Sequence, residues 1–187
     1  MNQLPLRERV ANERRRLKSV RQALSAAVAQ RSGGSPAWVP FYLAVADYID
    51  AAMHRLHIQD VRMGEMIHSK LGGKLDARAQ AGLKELDERL EANQRYLREF
   101  LACRDALRQE GAARLAEFEQ VSADYTAFIT ANMGHHGATT ELAQSLFSMD
   151  DWAYMAGATD AEAHHEQMLY EKVFAAVPAD LVLPPAQ

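Results

Sequence analysis

Cysteine is almost missing from this chain of 187 residues, in which Cys103 is the only one. A single cysteine excludes an intrachain disulfide framework and a cysteine-based zinc cluster, and it favours a reducing compartment. Long hydrophobic runs are missing as well, since no stretch approaches the roughly 18 apolar residues of a membrane span. Residues 1–9 also lack the apolar core of a secretory signal. We therefore expect a cytoplasmic protein with no membrane partner.

Glycine and proline are scarce too, with ten and six residues. A β-rich chain of this length needs more turn residues than that, so a sheet protein is disfavoured. Ala, Leu, Glu, Arg and Gln are abundant, and all five are good helix formers. Apolar residues make up 48% and charged residues 25% of the chain, which is typical of a globular domain with its own core. We expect one all-α domain over residues 1–187.

Positive charge is concentrated at the start of the chain. Residues 1–21 hold seven basic and two acidic residues, whereas the whole chain has a formal net charge of −4. The acidic balance disfavours nucleic acid as a partner. The run Arg14-Arg15-Arg16, in a basic first helix over residues 1–31, could contact phosphate or an acidic protein. A solvated helix face explains the same run equally simply.

Apolar residues recur at helical spacing along most of the chain. The pattern predicts long helices at about residues 6–30, 36–71, 76–109 and 112–132, and short ones at about 139–147 and 160–176. We expect Ser148 and either Thr159 or Asp160 to act as helix N-caps, and residues 177–187, with three prolines, to be an irregular tail. Four long helices with short links predict an antiparallel up-and-down bundle. The oligomeric state stays open, with a homodimer as one option.

The second predicted helix carries the first candidate site. His57 and Asp60 are three residues apart and share a face with apolar residues, opposite Arg55 and Arg62, which should mark the solvent side. A buried aspartate has to be paired, hydrogen-bonded or metal-bound. Metal ligation and a simple Asp–His hydrogen bond both satisfy that requirement. His54 lies on the flank, either as a further ligand or as an exposed histidine.

The second candidate segment is His135-His136, with Glu141 five residues after His136. Gly134 and Gly137 flank the two histidines and would let the backbone approach another helix closely. Imidazole and carboxylate ligands suit iron, zinc or manganese. The alternative is a pair of loop histidines that cap a helix.

Two Glu-x-x-His pairs offer another arrangement, Glu65 with His68 and Glu162 with His165. Such pairs supply half of the ligands in ferritin-like di-iron bundles. A ferritin-like di-iron oxidase is therefore an alternative, although about one such pair is expected by chance.

The last part of the chain resembles that of hemerythrin-like (HHE-type) domains. The similar stretches are an amphipathic run ending in a pair of histidines, a Glu-Leu-Ala element and an acid–Trp pair: residues 125–129, 132–136, 141–143 and 150–152. The helix with His54 and His57 resembles a ligand-bearing helix of the same family. The family's His-x-x-x-Glu motif is absent, and only the spacing from His136 to Glu141 matches a family element.

The resemblance implies a non-heme iron centre, expected to be di-iron. It implies O₂ or NO binding, redox sensing or an oxidase reaction, and it leaves open whether the protein is an enzyme. The expected metal ligands are His54, His57, Asp60, His135, His136 and Glu141. These can share a centre only if residues 135–141 face residues 54–60 across the core. An alternative function of a different class is a metal-free interaction module that binds a partner through its basic first helix.

Overall fold

A computed structural model describes residues 6–72, 74–132 and 137–185 of the chain. These residues form helices and connecting turns without a β-strand, which confirms the predicted all-α class. The helices are α1 (Leu6–Gln30), α2 (Val39–Lys70), α3 (Ala77–Glu110), α4 (Leu115–Asn132), α5 (Gly137–Leu146), α6 (Met149–Met155) and α7 (Asp160–Ala175). None of these helices has both the length and the hydropathy that crossing a bilayer requires, as far as the described residues go.

Side-chain caps fix where three of the helices begin. Asp76 accepts a hydrogen bond of 2.7 Å from the backbone N–H of Ala79 at the start of α3. Reciprocal capping boxes, in which a hydroxyl and a carboxylate each bind the other residue's backbone N–H, open α6 at Ser148–Asp151 and α7 at Thr159–Glu162. The predicted caps at Ser148 and Thr159 are thereby confirmed.

Two helices begin three residues later than the sequence pattern predicted. Pro36–Trp38 and Gly111–Arg114 form 3₁₀ turns that lead into α2 and α4. Gly111 closes α3 with a φ of +62°, a conformation that glycine adopts without strain. Hydrophobic periodicity cannot separate a 3₁₀ turn from the first turn of an α-helix, because both place apolar residues on the same side.

The tail after α7 is without helix, as predicted, but it packs on the bundle. The indole Nε1 of Trp38, a residue that is 2% exposed, donates to the carboxylate of Asp180 at 3.0 Å. Leu181 joins the main hydrophobic core. Residues 177–185 therefore cover the end of the bundle where α1 turns into α2.

Helix α2 is the central element, since it packs against α1, α3, α5 and α7. Its first half is buried almost entirely, with large side chains at Phe41, Tyr42, Tyr48 and Ile49 that are all 0% exposed. These belong to a main hydrophobic core shared with α1, α3, α4 and α7. A smaller cluster around Met63 joins the second half of α2 to α3 and α5. His57, Gln59 and Asp60 lie between these two apolar clusters along α2.

A buried carboxylate on α4 fixes the turn between α1 and α2. Glu119 accepts a hydrogen bond of 2.7 Å from the backbone N–H of Ser32 and one of 3.1 Å from the hydroxyl of Tyr42. Both partners are buried as well. A buried backbone N–H that loses its acceptor is destabilising, so this carboxylate holds three elements in register.

We predict that Glu119→Ala lowers the free energy of unfolding by about 3 kcal/mol, because two charge-assisted hydrogen bonds are lost and a buried N–H is left without an acceptor. The matched control is Glu117→Ala on the same helix, whose carboxylate makes an exposed pair with Arg114 at 2.7 Å. Such exposed pairs contribute at most about 1 kcal/mol. Urea unfolding followed by circular dichroism measures both variants. Equal losses would show that Glu119 has no special structural role.

Candidate functional site

His57 and Asp60 lie one turn apart on α2, and both contact α3. The Nε2 atom of His57 lies 2.9 Å from the side-chain nitrogen of Gln94. The Oδ2 atom of Asp60 lies 3.6 Å from a guanidinium nitrogen of Arg89. Asp60 is half-buried, and its ion pair confirms the prediction that it would not be left without a partner. These four side chains form a polar layer between α2 and α3.

The other ring nitrogen of His57 is the unusual atom of this layer. Nδ1 has no accessible surface and no hydrogen-bond partner among the described residues. With the Gln94 amide as it stands, its nitrogen donates to Nε2 and the proton of the neutral ring is on Nδ1. Turning the amide over places its oxygen at Nε2, and the ring then donates from Nε2 in the other neutral tautomer. Nδ1 then presents a lone pair, which is the form of histidine that binds a metal ion. The pairing with Gln94 would fix the ring orientation, as outer partners of metal-bound histidines do.

Glu141 lies at a different height from His57 and Asp60. It sits on α5, its side chain is 60% exposed, and it forms an ion pair with Arg78 of α3. Arg78 and Arg89, the partners of Glu141 and Asp60, are eleven residues apart on α3, or about 16 Å along the helix axis. The structure therefore does not bring Glu141 to the His57–Asp60 layer. His135 and His136 fall outside the described residues.

The remaining histidines on described helices are dispersed. His54 is exposed and faces α7 instead of α3. Glu65 and His68 are exposed near the end of α2, whereas Glu162 and His165 belong to α7. Eleven residues, again about 16 Å, separate Glu65 from His54 along α2, and it is His54 that lies near Glu162. The two Glu-x-x-His pairs are not brought together.

The described side chains supply fewer metal donors than the iron centre that the resemblance implies. Across residues 6–72, 74–132 and 137–185, no three side chains of His, Cys, Asp or Glu come together as metal ligands. His57 and Asp60 offer two donors, and the orphaned Nδ1 is suited to a metal. A di-iron centre needs about six or seven ligands. The described residues therefore fit part of one metal site and do not by themselves fit a di-iron centre.

A cleft of about 930 Å³ lies between α2, the α6–α7 link and α7. Aliphatic side chains of Ala51, Ile58 and Leu169 line part of its wall, and His54 and His165 line it as well. Its far rim is held by Arg62, which donates to the carbonyl oxygen of Gly157 at 3.0 Å and lies over the ring of Tyr154. The volume lies within the range of small-molecule sites, about 300–1,000 Å³.

Beneath the cleft, one arginine joins three helices. Arg55 binds Glu166 of α7 through Nε at 2.8 Å and Nη2 at 3.1 Å, and it binds Glu13 of α1 through Nη1 at 3.1 Å. The hydroxyl of Tyr48 also reaches Glu166, at 3.4 Å. Both carboxylates are buried, with Glu13 4% and Glu166 5% exposed. The prediction that Arg55 marks the solvent side of α2 is therefore wrong, because its long side chain turns towards these two carboxylates.

Sequence reasoning did not single out Glu13 or Glu166. Glu13 directly precedes the three consecutive arginines of α1, and an acidic residue in such a charged run is most simply interpreted as part of an exposed surface. Arg14 and Arg15 are indeed exposed, but Arg16 donates to the side chain of Gln167 on α7. One signal was present in the sequence: Glu13 keeps helical spacing with the apolar residues Leu17, Val20 and Leu24 of the buried face.

We predict that the stability of the wild-type protein falls, relative to Glu13→Gln, as the pH rises from 4.5 towards neutrality. Burial raises the pKa of the Glu13 carboxyl above its ordinary value of 4.5, although the charge of Arg55 opposes the rise. The unfolded chain therefore loses this proton first, and ionisation favours the unfolded state within that window. The variant has no such proton to lose.

Urea unfolding of both proteins at acidic and at neutral pH measures this difference. A wild-type advantage that grows with pH would mean that the ion pair with Arg55 outweighs the burial of Glu13.

Comparisons of the chain with protein-family models, with curated proteins and with solved structures give no match. Its function therefore has to be inferred from its own residues and their contacts.

Proposed function

We propose that the chain is a metal-binding helical bundle of the hemerythrin-like, up-and-down kind, and that it holds non-heme iron at the polar layer between α2 and α3. The observation that carries this proposal is the Nδ1 atom of His57, which is buried and has no partner among the described residues. Asp60, one turn further along α2, supplies the carboxylate. An imidazole and a carboxylate on adjacent turns are a donor pair that iron accepts.

The surroundings of the pair support the same assignment. Gln94 lies within hydrogen-bond distance of the second ring nitrogen of His57 and would hold the ring in its metal-binding orientation. Asp60 lies 3.6 Å from Arg89, and a carboxylate has two oxygens, each of which can interact with more than one partner. Arg89 would offset part of the negative charge of the site.

His135 and His136 are the further ligands that the resemblance implies, and they lie outside the described residues. The described residues on either side are informative. Phe128 of α4 stacks on Tyr96 of α3 at 4.3 Å between ring centroids, and Ala138 of α5 packs against Gly82 of α3. Gln94 and Arg89, which contact His57 and Asp60, fall between Tyr96 and Gly82 along α3. Phe128 and Ala138 therefore contact α3 on opposite sides of the residues that contact His57 and Asp60.

Iron in a site of this kind binds O₂ or NO, or takes part in redox sensing or an oxidase reaction, as the resemblance implies. The described residues would only bind and orient the metal. His57 gives a neutral nitrogen, Asp60 gives a charged oxygen and Gln94 orients the ring. His54 and Glu141, which the resemblance includes among the ligands, lie elsewhere on the bundle and are not part of this proposal.

We predict that His57→Ala and Asp60→Asn each reduce the iron retained after anaerobic Fe(II) loading by at least about tenfold, the loss expected when a ligand or its close support is removed. Elemental analysis and the visible spectrum measure the bound iron. Glu88→Gln and His164→Gln are matched controls, because both side chains are exposed on α3 and α7. They should retain iron as the wild type does.

His54→Gln and Glu141→Gln distinguish this site from the wider ligand set, and they should also retain iron. Circular dichroism shows whether each variant is folded. Iron that is lost equally from all folded variants, or never bound by the wild type, would refute the proposal.

A second candidate function is favoured by the cleft above Arg55. Its volume of about 930 Å³ and its mixture of aliphatic walls with two histidines suit a small organic molecule that is largely apolar. Arg62 and Arg55 are engaged by protein partners, and the Glu162 carboxylate caps α7, so the polar groups left to face a ligand are chiefly His54 and His165. We propose a neutral ligand with a polar group that both donates and accepts, because each neutral imidazole offers one hydrogen-bond donor and one acceptor.

We predict that Ala51→Phe, which fills the cleft from α2, weakens binding of the neutral apolar probe Nile red at least about tenfold, equivalent to 1.4 kcal/mol. The matched control is Ala102→Phe, since Ala102 is exposed on α3 outside the cleft. Fluorescence titration measures both variants. Equal binding by both would mean that the probe does not use the cleft.

A further inference from the structure

One arginine of α1, Arg21, points into the bundle and has no carboxylate partner among the described residues. The Nη2 atom of Arg21 contacts the sulfur of Met53 on α2 at 3.3 Å. Its Nε atom has no accessible surface and no hydrogen-bond partner among the described residues. Burial lowers the pKa of this guanidinium, and Tyr125 and Tyr48 would oppose that shift when ionised. Arg21 is partly buried, and a cation removed from water usually has a counter-charge, which the described residues do not supply.

Two hydroxyl groups of α4 share the interior with Arg21. Ser122 and Tyr125 lie one turn apart on the buried face of α4 and are 0% and 2% exposed. Neither Ser122 Oγ nor Tyr125 Oη has a hydrogen-bond partner among the described residues. The ring of Tyr125 stacks on Phe100 at 5.1 Å between centroids, which fixes where its hydroxyl lies. Buried hydroxyl groups are rarely left without a partner in native proteins.

Tyr125 and Arg21 are near enough to interact electrostatically. Burial raises the pKa of Tyr125 to about 12, although the charge of Arg21 opposes the rise. The phenol therefore keeps its proton at neutral pH and can donate a hydrogen bond. The Ser122 hydroxyl can rotate to donate as well, and the guanidinium only donates.

All three groups can donate to a hydrogen-bond acceptor, and the charge of Arg21 favours an acceptor that is negatively charged. The Nε–H of Arg21 and the hydroxyls of Ser122 and Tyr125 are three buried donors on two helices, α1 and α4, that pack against each other, and none has a partner among the described residues. A water molecule would satisfy the geometry of the donors but would leave the charge of Arg21 without compensation. A small anion accepts hydrogen bonds from these donors and also compensates the charge of Arg21. The sulfur of Met53, which contacts Nη2 of Arg21, is polarisable but uncharged and so does not compensate that charge itself.

We propose that the interior of the bundle binds a small inorganic monoanion, of the size of bromide or nitrate, between Arg21 of α1 and the Ser122 and Tyr125 hydroxyls of α4. This site is distinct from the cleft, which lies on the α6–α7 side of α2. It requires neither the His57–Asp60 layer nor a bound metal.

Thermal unfolding in increasing sodium bromide or sodium nitrate tests the proposal, with sodium gluconate added to hold the ionic strength constant. The midpoint of unfolding of the wild type should rise along a saturating curve with either anion. Tyr125→Phe and Ser122→Ala should each raise the apparent dissociation constant about tenfold, because one of three donors is lost. Arg21→Met should abolish the response. Arg14→Met, a change of an exposed arginine on the same helix, should leave it intact.

Crystals grown in sodium bromide provide the second measurement, an anomalous-scattering peak within hydrogen-bond distance of Arg21 and Tyr125. An anomalous peak together with a saturating rise supports the site. Water at this position with no anomalous peak would overturn the proposal, and so would a bromide peak without saturable stabilisation, which would indicate an adventitious ion only. Should Arg21→Met fail to fold, an unchanged response in both Tyr125→Phe and Ser122→Ala would overturn it equally.

Discussion

The pairing of Arg55 with Glu13 and Glu166 determines how α1, α2 and α7 are placed. One guanidinium satisfies two buried carboxylates from different helices, and it contacts Glu166 through two nitrogens. Removing one partner of a buried ion pair leaves an uncompensated charge, which is strongly destabilising. The three helices therefore have little freedom to slide past one another. The same ion pairs limit changes in the shape of the cleft, because Arg55 and Glu166 form its base and α7 forms one wall.

The local structure could be predicted well because its causes are local. Cap residues such as Ser148 and Thr159 act within one turn, and apolar spacing identifies the buried face of each helix. The helices α1, α3 and α7 accordingly lie within a residue or so of their predicted positions. The 3₁₀ turns before α2 and α4 were missed, since their apolar residues fit the same pattern as a helical turn.

The tertiary placement of charged residues could not be predicted in the same way. Periodicity assigns an arginine or a glutamate to the solvent face, but a long side chain can turn inward and bind a partner about a hundred residues away. Arg55 does so with Glu166, and Arg62 does so with the carbonyl of Gly157. Helical spacing also gives the side of a helix on which a residue lies without giving its height relative to a neighbouring helix. For this reason His57 and Asp60 were predicted together, whereas the distance of Glu141 from them was not.

The buried carboxylate of Glu119 has a consequence for the order in which the chain can fold. Its partner, the N–H of Ser32, belongs to the turn between α1 and α2, and the two residues are separated by 87 positions. While the chain is being synthesised, the first two helices leave the ribosome well before residue 119. The turn that joins them then has only water as its acceptor. This pair of helices, although adjacent in sequence, gains its final geometry from a segment made much later, and the fold depends on a contact of high sequence separation at its first turn.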